Sequence, residues 1–172
     1  MRLWVRHDRV VSHGRCYGQT DVHLAVAPEI TAQRLYPHLP KNLPIFSSPL
    51  SRCALLAEQL TSARHPVHYL DELQEVNFGH WENQPWDTIP RVDLDAWAAD
   101  VTGFQFPGGE SVPEFVDRVR AALNQLPKQC IVVTHGGVIR AAHHWCLNMP
   151  RTHAFTVPVP YAAPLALPAE RC

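Results

Sequence analysis

The chain has 172 residues, of which 46% are hydrophobic and 18% are charged, and its formal net charge at pH 7 is −1. This length predicts a single domain over residues 1–172, and the composition is typical of a globular protein rather than a disordered chain. Because the basic and acidic residues are interspersed, with no basic stripe, the sequence favours a small-molecule partner over nucleic acid or a membrane surface. The oligomeric state is left open.

The cysteines and the two ends of the chain bear on the compartment. There are five cysteines and no CxxC pair, at Cys16, Cys53, Cys130, Cys146 and Cys172. An odd, scattered set argues against a disulfide framework and against a thiolate zinc site, which predicts a cytoplasmic protein. Arg2, Arg6 and His7 interrupt the pattern of a secretory signal peptide, and prolines prevent the apolar tail from spanning a bilayer as a helix.

The first half of the chain alternates short apolar runs with helical patterns. RLWV predicts a buried strand that ends at Arg6, and HDRVVSHGRCYGQTD predicts a loop. PEITAQRLYPHL predicts a helix that begins at a proline and turns Ile30 and Leu35 toward the core. LPIF predicts a second strand. SSPLSRCALLAEQL predicts a helix with Ser48 as its cap and Pro49 in its first position, and VHYL predicts a third strand.

The second half shows stronger patterns. A middle region rich in Trp, Pro and Gly predicts loops with short helices, including LDAWAADV. Ser111 and Glu114 then have capping-box spacing. The helix that they open carries apolar residues at helical spacing, namely Val112, Phe115, Val116, Val119, Leu123 and Leu126. QCIVVT predicts a buried strand, and GGVIRAAHHWCL predicts a helix. HAFTVPVPYAAPLAL predicts one or two edge strands. The alternation predicts an α/β fold with a mostly parallel sheet.

Two predicted strands run directly into histidines, as LWVRH and CIVVTH. Ligands of open α/β sheets bind at the carboxyl ends of the strands, so His7 and His135 are expected to face one pocket. The glycine pair after His135 would let backbone N–H groups at the helix start approach an anion. Arg52 would add a bidentate clamp. With Arg6, these residues predict a site for a dianionic phosphate, although each histidine alone also fits a plain hydrogen-bonding role at a strand end.

Five blocks carry a resemblance to a known family. VRH, SSPLSRC, DELQEVNFGHWE, PGGES and VVTHGGVIR, in that order, resemble the phosphoglycerate-mutase-like histidine phosphatase superfamily from Met1 to about Pro160. CYGQTD, LDAWAAD and PGGES are most similar to the α-ribazole-5′-phosphate phosphatases of cobalamin biosynthesis. The resemblance implies a three-layer α/β/α sandwich. It also implies hydrolysis of α-ribazole 5′-phosphate or cobalamin 5′-phosphate without a metal or cofactor.

The same resemblance assigns roles to residues. It implies that His7 is the nucleophile, which fits because a neutral imidazole is nucleophilic at pH 7. It implies that Glu75 is the proton donor to the leaving alkoxide. The positions implied to bind the phosphoryl oxygens are Arg6, Arg52, His135 and Gly136. Glu72 is a neighbouring acid that fits a solvated surface charge.

Other residues leave alternatives open. Glu110 fits a helix N-terminus better than a substrate contact. Trp81, Trp86 and Trp97 could shape a pocket for a flat ring or belong to the core and its rim. The remaining histidines show no metal-binding spacing and fit scattered surface positions, at His13, His23, His143 and His144.

The sequence departs from the family pattern just after the nucleophile. Asp8 stands where glycine is usual, Arg9 follows it in place of an acid, and His13 occupies a position that often holds asparagine. Asp8 would place a negative charge near a dianionic phosphate unless it turned outward to pair with Arg9 or Arg52. Three functions therefore stay open beside the α-ribazole interpretation: a broad sugar-phosphate phosphatase, a phosphoglycerate mutase-like enzyme, and a phosphate-binding regulatory protein whose catalysis Asp8 has impaired.

Overall fold

A computed structural model describes residues 1–61 and 66–169. A five-stranded sheet in the order β3-β2-β4-β1-β5 forms its centre. The strands are β1 Arg2–Arg6, β2 Ile45–Ser47, β3 Val67–Tyr69, β4 Cys130–Thr134 and β5 Pro164–Leu167. β1 to β4 are parallel, and the proline-flanked β5 pairs antiparallel with β1 at the edge. The predicted mostly parallel sheet is confirmed.

Helices cover both faces of this sheet. They are α1 Pro28–Leu35, α2 Ser51–Leu60, α3 Arg91–Ala99, α4 Val112–Gln125, α5 Gly136–Leu147 and α6 Arg151–Ala154. On one face, Val5 and Val133 pack against α1 and α2 in an apolar cluster that includes Leu35. On the other face, Trp4 and Val132 pack in the cluster that contains the apolar side of α4 and α5. The architecture is therefore the three-layer α/β/α sandwich that the resemblance implied.

Two details of the predicted helices are wrong. Ile30 is 53% exposed, whereas Leu35 is buried as predicted, because α1 turns Thr31 and Ala32 toward the sheet instead. Ser48 does not cap α2, which begins at Ser51. The side chain that accepts a hydrogen bond from the Ser51 N–H, at 3.0 Å, is Asp21 from the loop between β1 and α1.

The longest helix follows its sequence pattern closely. Ser111 caps α4 through a capping box, in which its hydroxyl accepts from the Glu114 N–H and the Glu114 side chain accepts from the Ser111 N–H. The apolar positions predicted to face the core are all buried, from Val112 to Leu126. Periodicity and capping chemistry agree here, so the sequence alone determines both the start and the buried face of α4.

The described cysteines are mostly reduced and internal. Cys16, Cys53 and Cys130 are free and buried. Cys146 is disulfide-bonded, which the odd, scattered set of cysteines did not predict. Cys172 lies outside the described residues. Within the described part of the chain, no helix combines the length and the apolarity needed to cross a membrane.

The capping box gives a prediction about stability. Ser111→Ala removes the acceptor for the Glu114 N–H at the first turn of α4, and we expect it to lower the free energy of unfolding by about 1 kcal/mol. Urea denaturation followed by circular dichroism measures this difference. Thr88→Ala, at an exposed hydroxyl outside these six helices, serves as the control and should change stability by less than about 0.5 kcal/mol. An equal loss in both variants would contradict the assignment.

Candidate active site

Three neighbouring strands end at one edge of the sheet and deliver polar side chains there. Arg6 of β1 lies opposite Thr134 of β4, and the His7 N–H donates to the Thr134 carbonyl at 3.0 Å. The rings of His7 and His135 meet edge to face, with centroids 5.2 Å apart. Ser48 directly follows β2 and lies at this same edge of the sheet. The strand-end pattern in the sequence thus leads to two histidines that share one site.

His7 is buried and neutral. Its Nδ1 lies 2.6 Å from the Asp8 carbonyl oxygen, which can only accept, so Nδ1 carries the proton and Nε2 keeps a lone pair. Burial, followed by the nearby Arg52 cation, lowers the pKa of His7 to about 3. The side chain therefore presents an unprotonated nitrogen at neutral pH, which is the form that can act as a nucleophile.

His135 is fully buried and lies between α2 and the end of β2. The Arg52 Nε–H donates to its Nδ1 at 3.3 Å, so its proton is on Nε2, which lies 2.8 Å from the Ser48 hydroxyl. Burial, with Arg52 as the next cause, holds the pKa of His135 well below its usual value. Because both ring nitrogens are engaged, His135 in this geometry orients Arg52.

Arg52 itself has no exposed surface. Besides His135, its guanidinium donates to the carbonyl oxygens of Thr20 and Gly18, at 2.9 and 2.5 Å. These bonds use three of the five N–H groups that a guanidinium carries, which leaves two without a hydrogen bond to a described residue. The side chain is thus a buried cation that three hydrogen bonds hold in place, and its Nη1 lies 3.9 Å from Asp21 Oδ1.

Glu82 holds the loop that supports Arg52. Its carboxylate accepts from the backbone N–H groups of Gly18, Gln19 and Thr20 at 2.9–3.0 Å. Burial alone would raise the pKa of Glu82, but the hydrogen bonds from Thr20 and these amides outweigh burial and lower it. The loop therefore turns its amides to Glu82 and its carbonyls to Arg52. No role for Glu82 was predicted from the sequence, although it lies within the NFGHWE block that carried the resemblance.

Arg6 is the second cation beside His7. Its Nη1 donates to the Val159 carbonyl at 2.9 Å, and its guanidinium lies 3.6 Å from the centre of the Tyr161 ring. Among the described residues, the buried Arg6 Nε–H has no hydrogen-bond partner. A buried donor without a partner is costly, and an anion bound next to His7 would satisfy it.

Glu75 reaches the site from the opposite side and meets the start of α5. Its carboxylate accepts from the Gly137 N–H at 3.1 Å, and a Cβ on Gly137 would lie 2.2 Å from Glu75 Oε1. A Cβ on Gly136 would lie 3.2 Å from the Arg6 guanidinium. The glycine pair thus makes room for these two side chains, and the group that binds the Gly137 amide is the Glu75 carboxyl group.

The other acids considered from the sequence lie elsewhere. Glu72 accepts from Gln125 at the surface, at 3.0 Å. Glu110 does not serve the start of α4 as predicted, because its carboxylate pairs with Arg118 at 2.6 Å and accepts from the Asn77 N–H. Glu75 is therefore the acid of the DELQE segment that meets the Gly137 amide.

Asp8 turns away from the histidines. It accepts from the Thr31 hydroxyl at 2.6 Å, from the Arg9 N–H at 2.8 Å, and pairs with Arg34 of α1. The prediction that Asp8 would pair with Arg9 or Arg52 is wrong, because the cation that it pairs with is Arg34. Arg9 is exposed, and His13 is exposed in a turn with a positive φ of 50°. Asp8 therefore attaches the end of β1 to α1.

A cavity of about 300 Å³ opens beside Glu75. Its walls are mainly apolar and aromatic, including Phe78, Trp97, Phe106 and Phe115, and its polar groups include Arg140, Thr152 and Thr156. Trp97 is the tryptophan that lines it, whereas Trp81 is buried in the core and Trp86 is 37% exposed. Within residues 1–61 and 66–169, no group of three or more His, Cys, Asp or Glu side chains could hold a metal ion.

This fold and this arrangement of histidines are those of a phosphoryl-transfer family. The chain belongs to the histidine phosphatase superfamily (branch 1), whose family model matches residues 3–169. Family membership supports a phosphatase activity for this protein in general terms.

More specific similarities point to particular relatives. The chain is 28% identical over 165 residues to the adenosylcobalamin/alpha-ribazole phosphatase of Salmonella typhimurium, covering 87% of this chain and 81% of that protein. It is 29% identical over 156 residues to phosphoglycerate mutase-like protein 4 of Arabidopsis thaliana, covering 78% of this chain and 68% of that protein.

Solved structures agree on the fold. A mutant structure of TTHB049 from Thermus thermophilus superposes with a TM-score of 0.75 at 33% identity, covering 95% of this chain and 90% of that one. A candidate alpha-ribazole-5′-P phosphatase from Escherichia coli superposes with a TM-score of 0.83, covering 95% and 87%. At 23% identity, this second likeness bears on the fold alone.

The environment of Asp8 predicts a pH-dependent contribution to stability. Burial would raise the pKa of Asp8, but the hydrogen bonds from Thr31 and Arg9 and the Arg34 cation lower it overall. The stabilisation is therefore present above the unfolded pKa of about 3.9 and is lost as the pH falls through the lower folded value. We expect Asp8→Asn to reduce the free energy of unfolding by about 1–2 kcal/mol at pH 7.

Urea denaturation at a series of pH values tests this. The difference between the two proteins should shrink as the pH falls below about 4, where the wild-type carboxyl begins to take up its proton. Asp95→Asn removes an exposed pair with Arg91 and should change stability by less than about 0.5 kcal/mol at every pH. A loss at Asp8 that does not vary with pH would contradict the ion-pair explanation.

Proposed function

We propose that this protein is a phosphomonoesterase in which His7 carries the phosphoryl group as phosphohistidine. The main support for this proposal is the protonation state of His7. Its Nδ1–H donates to the Asp8 carbonyl, so Nε2 keeps its lone pair. The positive charges of Arg52 and Arg6 both act on His7, and the buried Arg6 Nε–H has no hydrogen-bond partner among the described residues. A neutral nucleophile between two cations suits attack on a dianionic phosphate.

The reaction proceeds in two steps. In the first, His7 Nε2 attacks phosphorus, the bond from phosphorus to the ester oxygen breaks, and Glu75 gives its proton to the leaving alkoxide. In the second, Glu75 takes a proton from water as the water oxygen attacks phosphorus, and the bond from phosphorus to nitrogen breaks. The products are an alcohol and inorganic phosphate, and His7 and Glu75 return to their starting states.

Arginine side chains supply the charge that the transferring phosphoryl group requires. Arg6 offers its unpartnered Nε–H and Arg52 offers two free N–H groups, so both can donate to equatorial oxygens. His135 supports this through its bond to Arg52 Nε, and the Gly136 amide lies at the start of α5 beside Arg6. With these donors in place, the proposed chemistry needs no metal or cofactor.

We propose further that the alcohol is α-ribazole, as the free nucleoside or within a cobalamin. The leaving group must lie next to Glu75, and the cavity there is walled by aromatic side chains with a few polar ones. A flat benzimidazole fits the aromatic wall, and ribose hydroxyls fit Arg140, Thr152 and Thr156. The relative in Salmonella typhimurium is named for the same class of substrate.

The alternatives have less support. Phosphoglycerate, as a mutase substrate, has no apolar or aromatic group for the mainly apolar walls of this cavity, and among the described residues there only Arg140 suits its carboxylate. A phosphate-binding protein impaired by Asp8 would need that carboxylate near the phosphate, whereas Thr31 and Arg34 hold it on the α1 side. A broad sugar-phosphate phosphatase would differ from the proposed enzyme only in its preference for the leaving group. Substitution of Trp97 measures that preference.

The phosphohistidine step can be tested directly. Acid-quenched reactions with a radiolabelled phosphate ester should leave an acid-labile label on the wild-type protein in the presence of EDTA. His7→Ala should lose the label, and its kcat should fall by at least about 10³-fold. His38→Ala changes an exposed histidine of the α1 side and should keep both. Activity that disappears in EDTA, or a label that persists in His7→Ala, would contradict the mechanism.

The nature of the leaving group gives a second test. Trp97→Leu removes an aromatic wall of the cavity, so KM for α-ribazole 5′-phosphate should rise about tenfold, while kcat/KM for glycerol phosphate should stay within about threefold. Trp86→Leu is the control, because Trp86 stacks near Trp97, with centroids 6.3 Å apart, and is not among the residues that line the cavity. Equal losses on both substrates would favour the broad phosphatase instead.

A further inference from the structure

Arg118 of α4 binds the backbone that leads into Glu75. Its Nη1 donates to the carbonyl oxygens of Glu72 and Gln74, each at 2.9 Å, and its Nη2 donates to the carbonyl of Glu75 at 3.1 Å. Its Nε and Nη2 also donate to the two carboxylate oxygens of Glu110, at 2.6 and 2.8 Å. These five bonds match the number of N–H groups on a guanidinium, so the side chain is fully engaged.

Glu110 extends this arrangement past Glu75. Its carboxylate accepts from the Asn77 N–H at 2.9 Å, and its own N–H donates to the Asn77 carbonyl at 3.0 Å. The chain is therefore held before Glu75, at Glu75 and after it by one ion pair. Both side chains of that pair are only 19% exposed, which limits screening by solvent.

The segment held in this way has little regular structure of its own. A short 3-10 turn over Asp71–Leu73 precedes it, and the residues that follow are not part of a helix or strand until another short turn at Gly79–Trp81. Backbone of this kind is normally the most mobile part of a protein. A proton donor must stay within hydrogen-bond reach of the leaving oxygen, and a displacement of about 1 Å can cost 10²-fold in rate.

We propose that Arg118, with Glu110 as its counter-ion, is a positioning residue that holds the Glu75 carboxylate at the leaving-group oxygen. Arg118 bonds the backbone of Glu75, and the Glu75 side chain reaches from there to the Gly137 amide. The inference rests on the proposed function, because it takes Glu75 to be the proton donor. It adds the residues that keep that donor in place.

The dependence of the rate on the leaving group tests this role. The 4-nitrophenolate ion leaves without a proton, whereas an alkoxide needs one from Glu75. Single-turnover formation of phosphohistidine should therefore fall about 10²-fold in Arg118→Ala with glycerol phosphate, and stay within about threefold of wild type with 4-nitrophenyl phosphate. A merely structural defect would lower both rates together.

Matched variants separate the inference from its premise. Glu75→Gln should give the same selective loss, of equal or larger size, and without that loss the assignment of Glu75 as proton donor fails. Where Glu75→Gln shows the selective loss and Arg118→Ala slows both substrates equally or neither, the positioning role is overturned. Arg120→Ala changes an exposed arginine of the same helix and should leave both rates unchanged.

A conservative variant covers the case in which Arg118→Ala does not fold. Arg118→Lys keeps one positive charge on the same helix but loses the planar fork, so it can satisfy some of the carbonyl oxygens and not all. We expect it to fold and to lose about tenfold with glycerol phosphate only. A folded Arg118→Lys protein with the wild-type ratio of the two rates would overturn the proposal.

Discussion

The buried guanidinium of Arg52 is the interaction on which the rest of the site depends. A cation without exposed surface is strongly disfavoured unless polar groups surround it, and here the carbonyls of Gly18 and Thr20 and the ring of His135 do so. Those carbonyls face inward because Glu82 binds the amides on the other side of the loop. The buried charge of Arg52 thus depends on a shaped loop, on the partly buried carboxylate of Glu82 and on an oriented histidine.

This arrangement also separates the site into two halves with different physical character. On the side that we propose binds phosphate, Arg6 and Arg52 provide fixed positive charge, and burial together with these charges lowers the pKa of His7 and keeps it unprotonated. On the side proposed for the leaving group, the cavity walls are mainly apolar and aromatic. Glu75 lies where the halves meet, bound to the α5 amide of Gly137. The proposed substrate, a phosphate ester of a largely apolar alcohol, would match both halves at once.

Local patterns in the sequence predicted the parts of the fold that local physics determines. The capping box at Ser111, the buried face of α4 and the histidines after two strands all follow from spacing and hydrophobic periodicity. The failures involve long-range packing. Ile30 has the same hydrophobicity as a core residue, yet the approach of α1 leaves it outside. Glu82 and Arg118 act on backbone more than 40 residues away, which no spacing rule can reveal.

The position of β1 in the sheet has a consequence for biosynthesis. The strand that delivers His7 comes first in the chain, but its two neighbours, β4 and β5, are made more than 120 residues later. Arg6 likewise cannot form its hydrogen bond to the Val159 carbonyl until Val159 has been synthesised. Contacts of such sequence separation form late and slowly. A ribosome must therefore synthesise almost the whole chain before the neighbours of His7 can enclose it, so a truncated product contains His7 but cannot complete the site around it.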